Sequence, residues 1–288
     1  MTINKDTKIL IVGLGLIGGS YAWALSSQGY EVGGMARRNE VIDYALDRGW
    51  IAHGRTDMDP YYIGQFDLIV FALYPQSLLE WLEKNQQYIK KGALLTDVTG
   101  VKRCIVYDVQ RMLRDDLEFI GAHPMAGRES SGIENADKDI FKNANYIVTP
   151  TDANSPQAID ACMQLGKILG FRNISTLTPE KHDEMIGFLS QLTHCIAVCL
   201  MTCRDSESFV DYTGDSFRDL TRIAKINDRM WSELFSLNKD ELVQQMDLFE
   251  RQFQTLKQYI IDDNTAGMRE MMRRSTEQRK RFEVRKDD

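Results

Sequence analysis

Residues 8–20 read Lys-Ile-Leu-Ile-Val-Gly-Leu-Gly-Leu-Ile-Gly-Gly-Ser, and this stretch decides the fold. The apolar run Lys8–Val12 predicts a buried strand, and Gly13, Gly15 and Gly18 follow it with G-x-G-x-x-G spacing. In such a turn the first glycine permits the tight bend, the second lets backbone approach a pyrophosphate, and the third lets the following helix pack on the strand. The helix N-terminus then holds the phosphates. The stretch therefore predicts a dinucleotide-binding unit, against the simpler alternative of a glycine-rich turn.

Short apolar runs continue to alternate with helical patterns as far as Leu177. The predicted strands are Lys8–Val12, Glu31–Met35, Asp67–Leu73, Ala93–Asp97, Phe119–Ala122, Tyr146–Thr149 and Asn173–Leu177. Near-continuous apolar strands separated by helices indicate a parallel sheet that is covered on both faces. We predict an α/β Rossmann-type doubly wound parallel sheet over residues 1–177.

The strand pattern stops at Thr178, where a long helix is predicted to begin. Thr178 is a favourable N-cap, Pro179 suits the first helical position and Glu180 suits the first turn. Apolar residues then recur at helical spacing in one stripe of Met185, Leu189, Leu192, Ile196, Cys199 and Cys203. Because other sides of this helix are also apolar, we expect it to be buried against a second copy of the chain. Residues 178–288 are predicted to form an all-α substrate and dimerisation domain.

The overall charge favours a small-molecule partner. The chain has 288 residues, of which 43% are hydrophobic, and 35 basic residues against 42 acidic ones give a net charge of -7. Such a chain has no global positive field to attract nucleic acid or anionic lipid, and neither partner is expected.

The cysteines and the N-terminus predict a soluble, cytoplasmic protein. The five cysteines show no C-x-x-C and no disulfide-framework spacing, which indicates a reducing compartment. The first residues are polar, and we expect no membrane span. Cys195, Cys199 and Cys203 lie four apart beside His194, but they coincide with the apolar stripe, so packed thiols are favoured over a metal site.

The end of the second predicted strand favours NADP. An acidic residue is expected there to hold the ribose 2′-hydroxyl of NAD, but Met35 and Ala36 occupy the place, and Arg37 and Arg38 follow. Two arginines can grip a 2′-phosphate, whereas the alternative is two solvated arginines with NAD bound by other contacts. The residues expected to bind the cofactor are Gly13, Leu14, Gly15, Leu16, Ile17, Gly18, Arg37, Arg38, Leu73 and Tyr74.

Each of the four histidines has a predicted place. His123 follows the run Phe119–Ala122 at the carboxyl end of a strand, where ligands bind and where an imidazole can accept a substrate proton; the alternative is a structural histidine. His194 falls opposite the apolar stripe of the long helix and either faces the nucleotide domain or donates to a core carbonyl. His53 is expected in a loop and His182 exposed in the first helical turn, both without a role.

Four segments together resemble the prephenate and arogenate dehydrogenases of tyrosine biosynthesis. They are Gly13–Ser20, Thr96–Lys102, Gly121–Gly127, and Phe217–Ala224 followed by Met230-Trp231. The resemblance covers almost the whole chain and implies oxidative decarboxylation of a cyclohexadienol. Hydride passes to the nicotinamide, the ring carboxylate leaves as carbon dioxide, and the ring becomes aromatic. We expect prephenate as the substrate, giving 4-hydroxyphenylpyruvate, with arogenate, giving tyrosine, as the alternative.

The resemblance also implies roles for individual residues. His123 matches the catalytic histidine that hydrogen-bonds the ring hydroxyl, and it is expected to be neutral. Arg222 matches an arginine that binds a substrate carboxylate, and Asp219 matches the acid that pairs with it near the entrance. His194 matches the second histidine of a helical Ser-His-Leu-Pro-His segment, and Trp231 is expected to shape the pocket or the dimer interface.

Three positions depart from the family pattern. Gly100 stands where the family commonly has the serine beside the catalytic histidine, so Thr99 is expected to supply the hydroxyl. Gln191 replaces the first helical histidine, and Arg128 replaces a small polar residue. Arg128 and Glu129 are expected to touch substrate, with Arg128 favouring an extra carboxylate or keto acid. The departures affect substrate preference and leave the reaction class intact.

Two other functions fit parts of the sequence. A β-hydroxyacid or imine-reducing dehydrogenase shares the two-domain plan but relies on a helical lysine, and the long helix has only Lys181 near its start. A regulator that senses NADP without turnover needs neither His123 nor Arg222.

Overall fold

The computed structural model describes residues 1–128, 130–205 and 207–283. The chain forms two compact units, Met1–Lys239 and a second that begins at Asp240. The sheet and the first helices after it therefore pack as one unit, and the boundary at residues 177 and 178 stays a prediction.

Eight strands form one sheet in the order β3-β2-β1-β4-β5-β6-β7-β8. The strands are β1 (Ile9–Val12), β2 (Val32–Met35), β3 (His53–Arg55), β4 (Leu68–Phe71), β5 (Leu94–Asp97), β6 (Glu118–Pro124), β7 (Asn145–Thr149) and β8 (Asn173–Thr176). β6 and β7 pair antiparallel, and the remaining neighbours pair in parallel. The order reverses between β1 and β4, so the Rossmann-type doubly wound class is confirmed.

Two details of the sheet differ from the prediction. β3 was expected to be a loop, because its residues His53-Gly54-Arg55 carry no apolar signal; they become a strand by pairing with β2. The sheet is also not wholly parallel, since β7 runs against β6.

Helices cover both faces of the sheet. They are α1 (Leu16–Ser26), α2 (Asn39–Asp47), α3 (Pro60–Ile63), α4 (Pro75–Asn85), α5 (Arg103–Met112) and α6 (Pro156–Leu169). α1, α2 and α6 contribute to one apolar layer, and α3, α4 and α5 contribute to the other. Full burial of a large apolar side chain such as Leu25 or Leu82 contributes about 1.5–3 kcal/mol, so the two layers stabilise the sheet.

The chain after β8 is helical, as predicted. Its helices are α7 (Pro179–Ile186), α8 (Leu192–Thr202), α9 (Asp215–Thr221), α10 (Asp228–Leu237), α11 (Lys239–Ile261) and α12 (Thr265–Lys280). A π-helical turn, Gly187–Gln191, joins α7 to α8. The N-cap is as expected, because the Thr178 hydroxyl accepts the N–H of Lys181 at 3.2 Å.

The long helix is not buried all round. Phe188 is 53% and Leu189 42% exposed, and Cys199 and Cys203 are exposed as well, so the thiols are not packed within one chain and their burial against a second copy stays a prediction. The π-turn also interrupts the predicted stripe, because it inserts an extra residue and rotates the residues after it by about 100° relative to a continuous α-helix. A helical wheel with a constant rotation of about 100° per residue therefore places residues from two different faces of the helix in one stripe.

The segment Pro179–Thr202 also has the length and apolar composition of a helix that could cross a membrane. The expectation that no stretch of the chain reaches this limit is wrong. An interface or core helix of a soluble protein meets the same criterion.

Candidate active site

The glycine turn after β1 has the geometry that a dinucleotide needs. A Cβ on Gly13, at φ 98°, would lie 2.4 Å from the carbonyl oxygen of Ala72, and a Cβ on Gly18 would lie 1.8 Å from the carbonyl oxygen of Gly13. A Cβ on Gly15, by contrast, would meet nothing within 4 Å. Gly13 and Gly18 therefore serve close backbone packing, and the space above Gly15 is open to a ligand.

The N-terminus of α1 fits a pyrophosphate. Gly15 is its N-cap, no side chain caps the first turn, and no acidic residue lies there. The amide groups of this turn are thus available to an anion. Leu73 lies over Gly13, and the Tyr74 hydroxyl is 3.4 Å from the amide nitrogen of Asn227.

The other predicted cofactor residues take different positions. Leu14 is buried in the core, whereas Leu16 and Ile17 are partly exposed at the start of α1. Arg37 and Arg38 are exposed directly after β2, at the sheet edge to which the glycine turn belongs.

A chain of three hydrogen-bonded side chains ends at His123, near the carboxyl end of strand β6. His123 Nδ1 is 2.9 Å from His182 Nε2, and His182 Nδ1 is 2.7 Å from Asp183 Oδ1. A carboxylate only accepts hydrogen bonds, so His182 Nδ1 carries a proton and its Nε2 accepts. His123 must then donate through Nδ1. Its Nε2 consequently bears the lone pair, as a general base requires.

The protein holds the ring of His123 neutral. Burial lowers the pKa of His123 well below its usual range, and a positive charge on His182, where it is protonated, or on Lys102 acts in the same direction. Burial also lowers the pKa of His182, while its hydrogen bond to Asp183 opposes the shift. Both imidazoles are therefore neutral near pH 7.

Asp183 anchors the far end of this chain. Its carboxylate accepts the backbone N–H groups of Lys102 and Arg103, each at 2.8 Å, at the N-terminus of α5. A carboxylate at a helix N-terminus is stabilised by the helix dipole as well as by the two bonds. The relay thus joins α7 to α5 and to β6.

Two family models match the chain. One, described as prephenate dehydrogenase, nucleotide-binding domain, matches residues 21–174, and the other, prephenate dehydrogenase, dimerization domain, matches residues 178–274. A prephenate dehydrogenase of Bacillus subtilis (strain 168) is 30% identical over 276 residues, which are 93% of this chain and 74% of the relative. The chain belongs to the prephenate dehydrogenase family.

Other relatives agree with this membership. A cyclohexadienyl dehydrogenase of Zymomonas mobilis is 27% identical over 86% of each chain. A crystal structure of prephenate dehydrogenase from Aquifex aeolicus, in complex with hydroxyphenyl propionate and NAD+, has a TM-score of 0.89 at 27% identity and covers 96% of this chain and 98% of that one. The chain is accordingly an NAD(P)-dependent oxidoreductase with a nucleotide-binding and a dimerisation domain.

The Thr99 hydroxyl does not stand beside His123 as expected for a substitute of the family serine. The Thr99 hydroxyl bonds to the Asp97 carboxylate, lies 2.9 Å from the carbonyl oxygen of Val101 and accepts from Lys102 Nζ at 3.0 Å. It is therefore committed to the turn after β5. Gly100 faces the histidine instead, since a Cβ there would lie 4.0 Å from His123 Nε2.

Gln191 is a structural residue and not a residue that faces substrate. It is 1% exposed; its Nε2 donates to the carbonyl oxygen of Leu234 at 3.1 Å, and its Oε1 accepts from Asn238 at 2.7 Å. Both ends of the amide are thus used in joining the long helix to α10. These contacts engage Gln191 in helix packing, contrary to the expectation that it binds substrate.

His194 lies against Trp231. The two rings stack with centroids 3.8 Å apart, and His194 Nδ1 donates to the carbonyl oxygen of Ser190 at 2.8 Å. The hydrogen bond to a carbonyl agrees with the second alternative weighed from the sequence, and the first, in which His194 faces the nucleotide domain, stays a prediction.

The remaining predicted substrate residues lie at the surface of the chain. Arg222 opens a short 3₁₀ turn, Arg222–Ala224, that packs on α8, and Asp219 is exposed on α9. Arg128 follows the strand of His123 and pairs with Asp137. Glu129 lies outside the described residues. The roles of Arg222, Asp219, His194 and Arg128 stay predictions.

Sequence reasoning missed His182 and Asp183. His182 was expected to be exposed, yet it is fully buried, because its helix docks on the N-terminus of α5. One signal could have revealed it, since an adjacent His-Asp pair offers an imidazole and its carboxylate partner. Among the described residues no group of three His, Cys, Asp or Glu side chains is arranged to hold a metal ion.

Proposed function

We propose that this protein oxidises and decarboxylates prephenate with NADP, and that His123 is the base. The observation that carries the proposal is the chain from Asp183 through His182 to His123, which leaves His123 Nε2 as a proton acceptor. A sensor that only binds nucleotide has no use for an oriented base. Arogenate, which differs in the side chain alone, is the alternative substrate.

His123 takes the proton of the ring hydroxyl on Nε2 as the ring carbinol carbon is oxidised. The nicotinamide, when bound, supplies the hydride acceptor. The Nδ1–H of His123 stays bonded to His182, so the ring cannot turn away while its charge changes. Asp183, fixed by two backbone N–H groups, keeps His182 in the tautomer that accepts this bond.

Arg222 is proposed to bind a substrate carboxylate, with Asp219 as its partner. A planar guanidinium can form two parallel bonds to a carboxylate. His194, stacked on Trp231, and Arg128, in the loop after His123, are proposed to contact the remaining polar groups of the substrate. A keto acid side chain suits Arg128, which favours prephenate over arogenate.

NADP is proposed over NAD because of Arg37 and Arg38. These two residues are exposed directly after β2, and no acidic residue occupies the usual ribose-binding place in Met35-Ala36. Arg37→Ala with Arg38→Ala should lower the ratio of kcat/KM for NADP to that for NAD by at least about tenfold, a loss of about 1.4 kcal/mol. Arg48→Ala is the matched control, since Arg48 stacks on Tyr44 at the end of α2.

A cytoplasmic homodimer is proposed as the working form. Phe188, Leu189 and Met201 expose apolar surface along the long helix of a domain whose family model is named for dimerisation. Covering this surface with a second copy removes it from water. Phe188→Glu should convert the dimer to monomer in light-scattering measurements, and a monomeric wild type would contradict the proposal.

The decisive experiment is a set of four initial-rate assays that pairs prephenate and arogenate with NADP and NAD, read by reduced-cofactor absorbance. The expected result is turnover, fastest with prephenate and NADP. His123→Asn should abolish turnover and leave cofactor binding intact. If a folded protein that binds NADP shows no turnover in any of the four assays, the proposed function is overturned. Faster turnover of arogenate would overturn only the substrate.

A further inference from the structure

The turn after β5 contains a fully buried lysine that the mechanism above does not use. The side chain of Lys102 is 0% exposed, and its Nζ lies 2.5 Å from Asp97 Oδ2, which is also 0% exposed. Lysine is almost never fully buried unless it is paired, and such a pair gains little stability over apolar residues of the same volume. A buried pair beside a base therefore requires an explanation other than stability.

Lys102 and Asp97 hold both ends of the histidine relay. The other oxygen of Asp97, Oδ1, accepts the N–H of Ala122 at 3.1 Å, and Ala122 directly precedes His123 on β6. The backbone N–H of Lys102 donates to Asp183 at the opposite end of the relay. One turn of the chain thus sets the positions of the base and of the carboxylate that orients it.

The ammonium of Lys102 also acts on the base through space. Among the described residues, the groups that influence the protonation of His123 are His182 from α7 and Lys102 from the turn before α5. Asp97 and Asp183 are the carboxylates of the same cluster, and both act on His182. A fixed positive charge in a poorly solvated site disfavours a second one nearby.

We propose that Lys102, through its buried ion pair with Asp97, is a positioning residue of the active site that fixes the strand end carrying His123 and helps to keep His123 in its neutral, proton-accepting form. The proposal rests on His123 as the base of the proposed function. The proposal gives Lys102 an electrostatic effect on His123, which a residue that acts only through packing does not have.

The chain has only four histidines, so their ring protons can be followed individually by NMR as the pH is varied. The His123 signal is assigned by its loss in His123→Asn. Lys102→Met should raise the titration midpoint of His123. Lys181→Met is the matched control. Lys181 directly precedes His182 in the chain, but its side chain is 59% exposed, so its replacement should leave the midpoint unchanged.

A second variant covers the case in which Lys102→Met does not fold because Asp97 is left unpaired. Asp97→Asn combined with Lys102→Met removes both charges and should still raise the midpoint. An unchanged midpoint in either folded variant overturns the proposal. So does a wild-type midpoint at or above about 6.5, the ordinary value for histidine.

The NMR titration needs no substrate, so its outcome is separate from that of the proposed function. Where turnover is found, the acid limb of the pH profile of kcat/KM should move upward in Lys102→Met by the same shift as the NMR midpoint. If Lys102 acted only through packing, its replacement would lower kcat/KM at every pH without shifting the acid limb of the profile. That result would overturn the electrostatic role.

Discussion

Replacing His182 by alanine tests the relay most directly. The variant removes the acceptor that lies 2.9 Å from His123 Nδ1 and leaves the N–H of His123 without its partner. An unsatisfied buried donor costs about 1–3 kcal/mol. This cost falls on the tautomer with the proton on Nδ1, which is the one that presents Nε2 to substrate. The other tautomer has no use for the lost acceptor and becomes the more populated form.

The expected loss follows from that free energy. About 1–3 kcal/mol corresponds to about fivefold to about 150-fold in the productive tautomer, at 1.36 kcal/mol for each tenfold. kcat/KM should therefore fall by that factor, short of the complete loss expected for His123→Asn. His182→Gln offers an amide oxygen as acceptor and should recover most of the rate.

The assay is the initial rate with saturating NADP, and His53→Ala is the control. His53 is also hydrogen-bonded, to Tyr62, but lies at the edge strand β3. Retention of full activity by a folded His182→Ala variant would refute the reasoning. Equal losses in the alanine and glutamine variants would refute it as well, because the tautomer argument requires rescue.

Three further predictions follow from the same geometry. Gly15→Ala should keep the thermal stability of the protein but lower its NADP affinity at least about tenfold in a calorimetric titration. Gly18→Ala should instead lower the thermal stability, because its Cβ would lie 1.8 Å from a backbone oxygen. Thr99→Val should lower the free energy of unfolding in urea by about 1–3 kcal/mol, because the hydroxyl donates one buried hydrogen bond to Asp97 and accepts another from Lys102. A loss of turnover without a loss of stability would restore the catalytic role first expected for this hydroxyl. The lowered pKa values of His123 and His182 mean that the unfolded chain binds more protons below about pH 6.5, so the stability they contribute is present above that pH and is lost as the pH falls. Urea unfolding at about pH 7.5 and about pH 5 should show this loss, and it should shrink when both histidines are replaced by Gln.

The sheet could be predicted from sequence where the signal was local. Apolar runs such as Ile9–Val12 and the glycine spacing of residues 13–18 are fixed by sterics within a few residues, and both were found where expected. β3 could not be predicted, since His53-Gly54-Arg55 becomes a strand only through pairing with β2. The antiparallel direction of β7 depends on long-range packing in the same way.

Site residues could be predicted from the sequence only where the residues next to them in the chain determine their position. His123 was found because it ends an apolar strand, but its partners lie 59 and 60 positions further along the chain and meet it through the docking of α7 on α5. Regular helical spacing also fails at the π-turn Gly187–Gln191, which the sequence pattern does not reveal. Over the twelve residues from His182 to His194, a continuous α-helix would rotate the two side chains about 120° apart, whereas one inserted residue reduces the angle to about 20°. On this ideal geometry the π-turn brings the side chains of His182 and His194 to nearly the same side of the helix, where His182 contacts His123 and His194 stacks on Trp231.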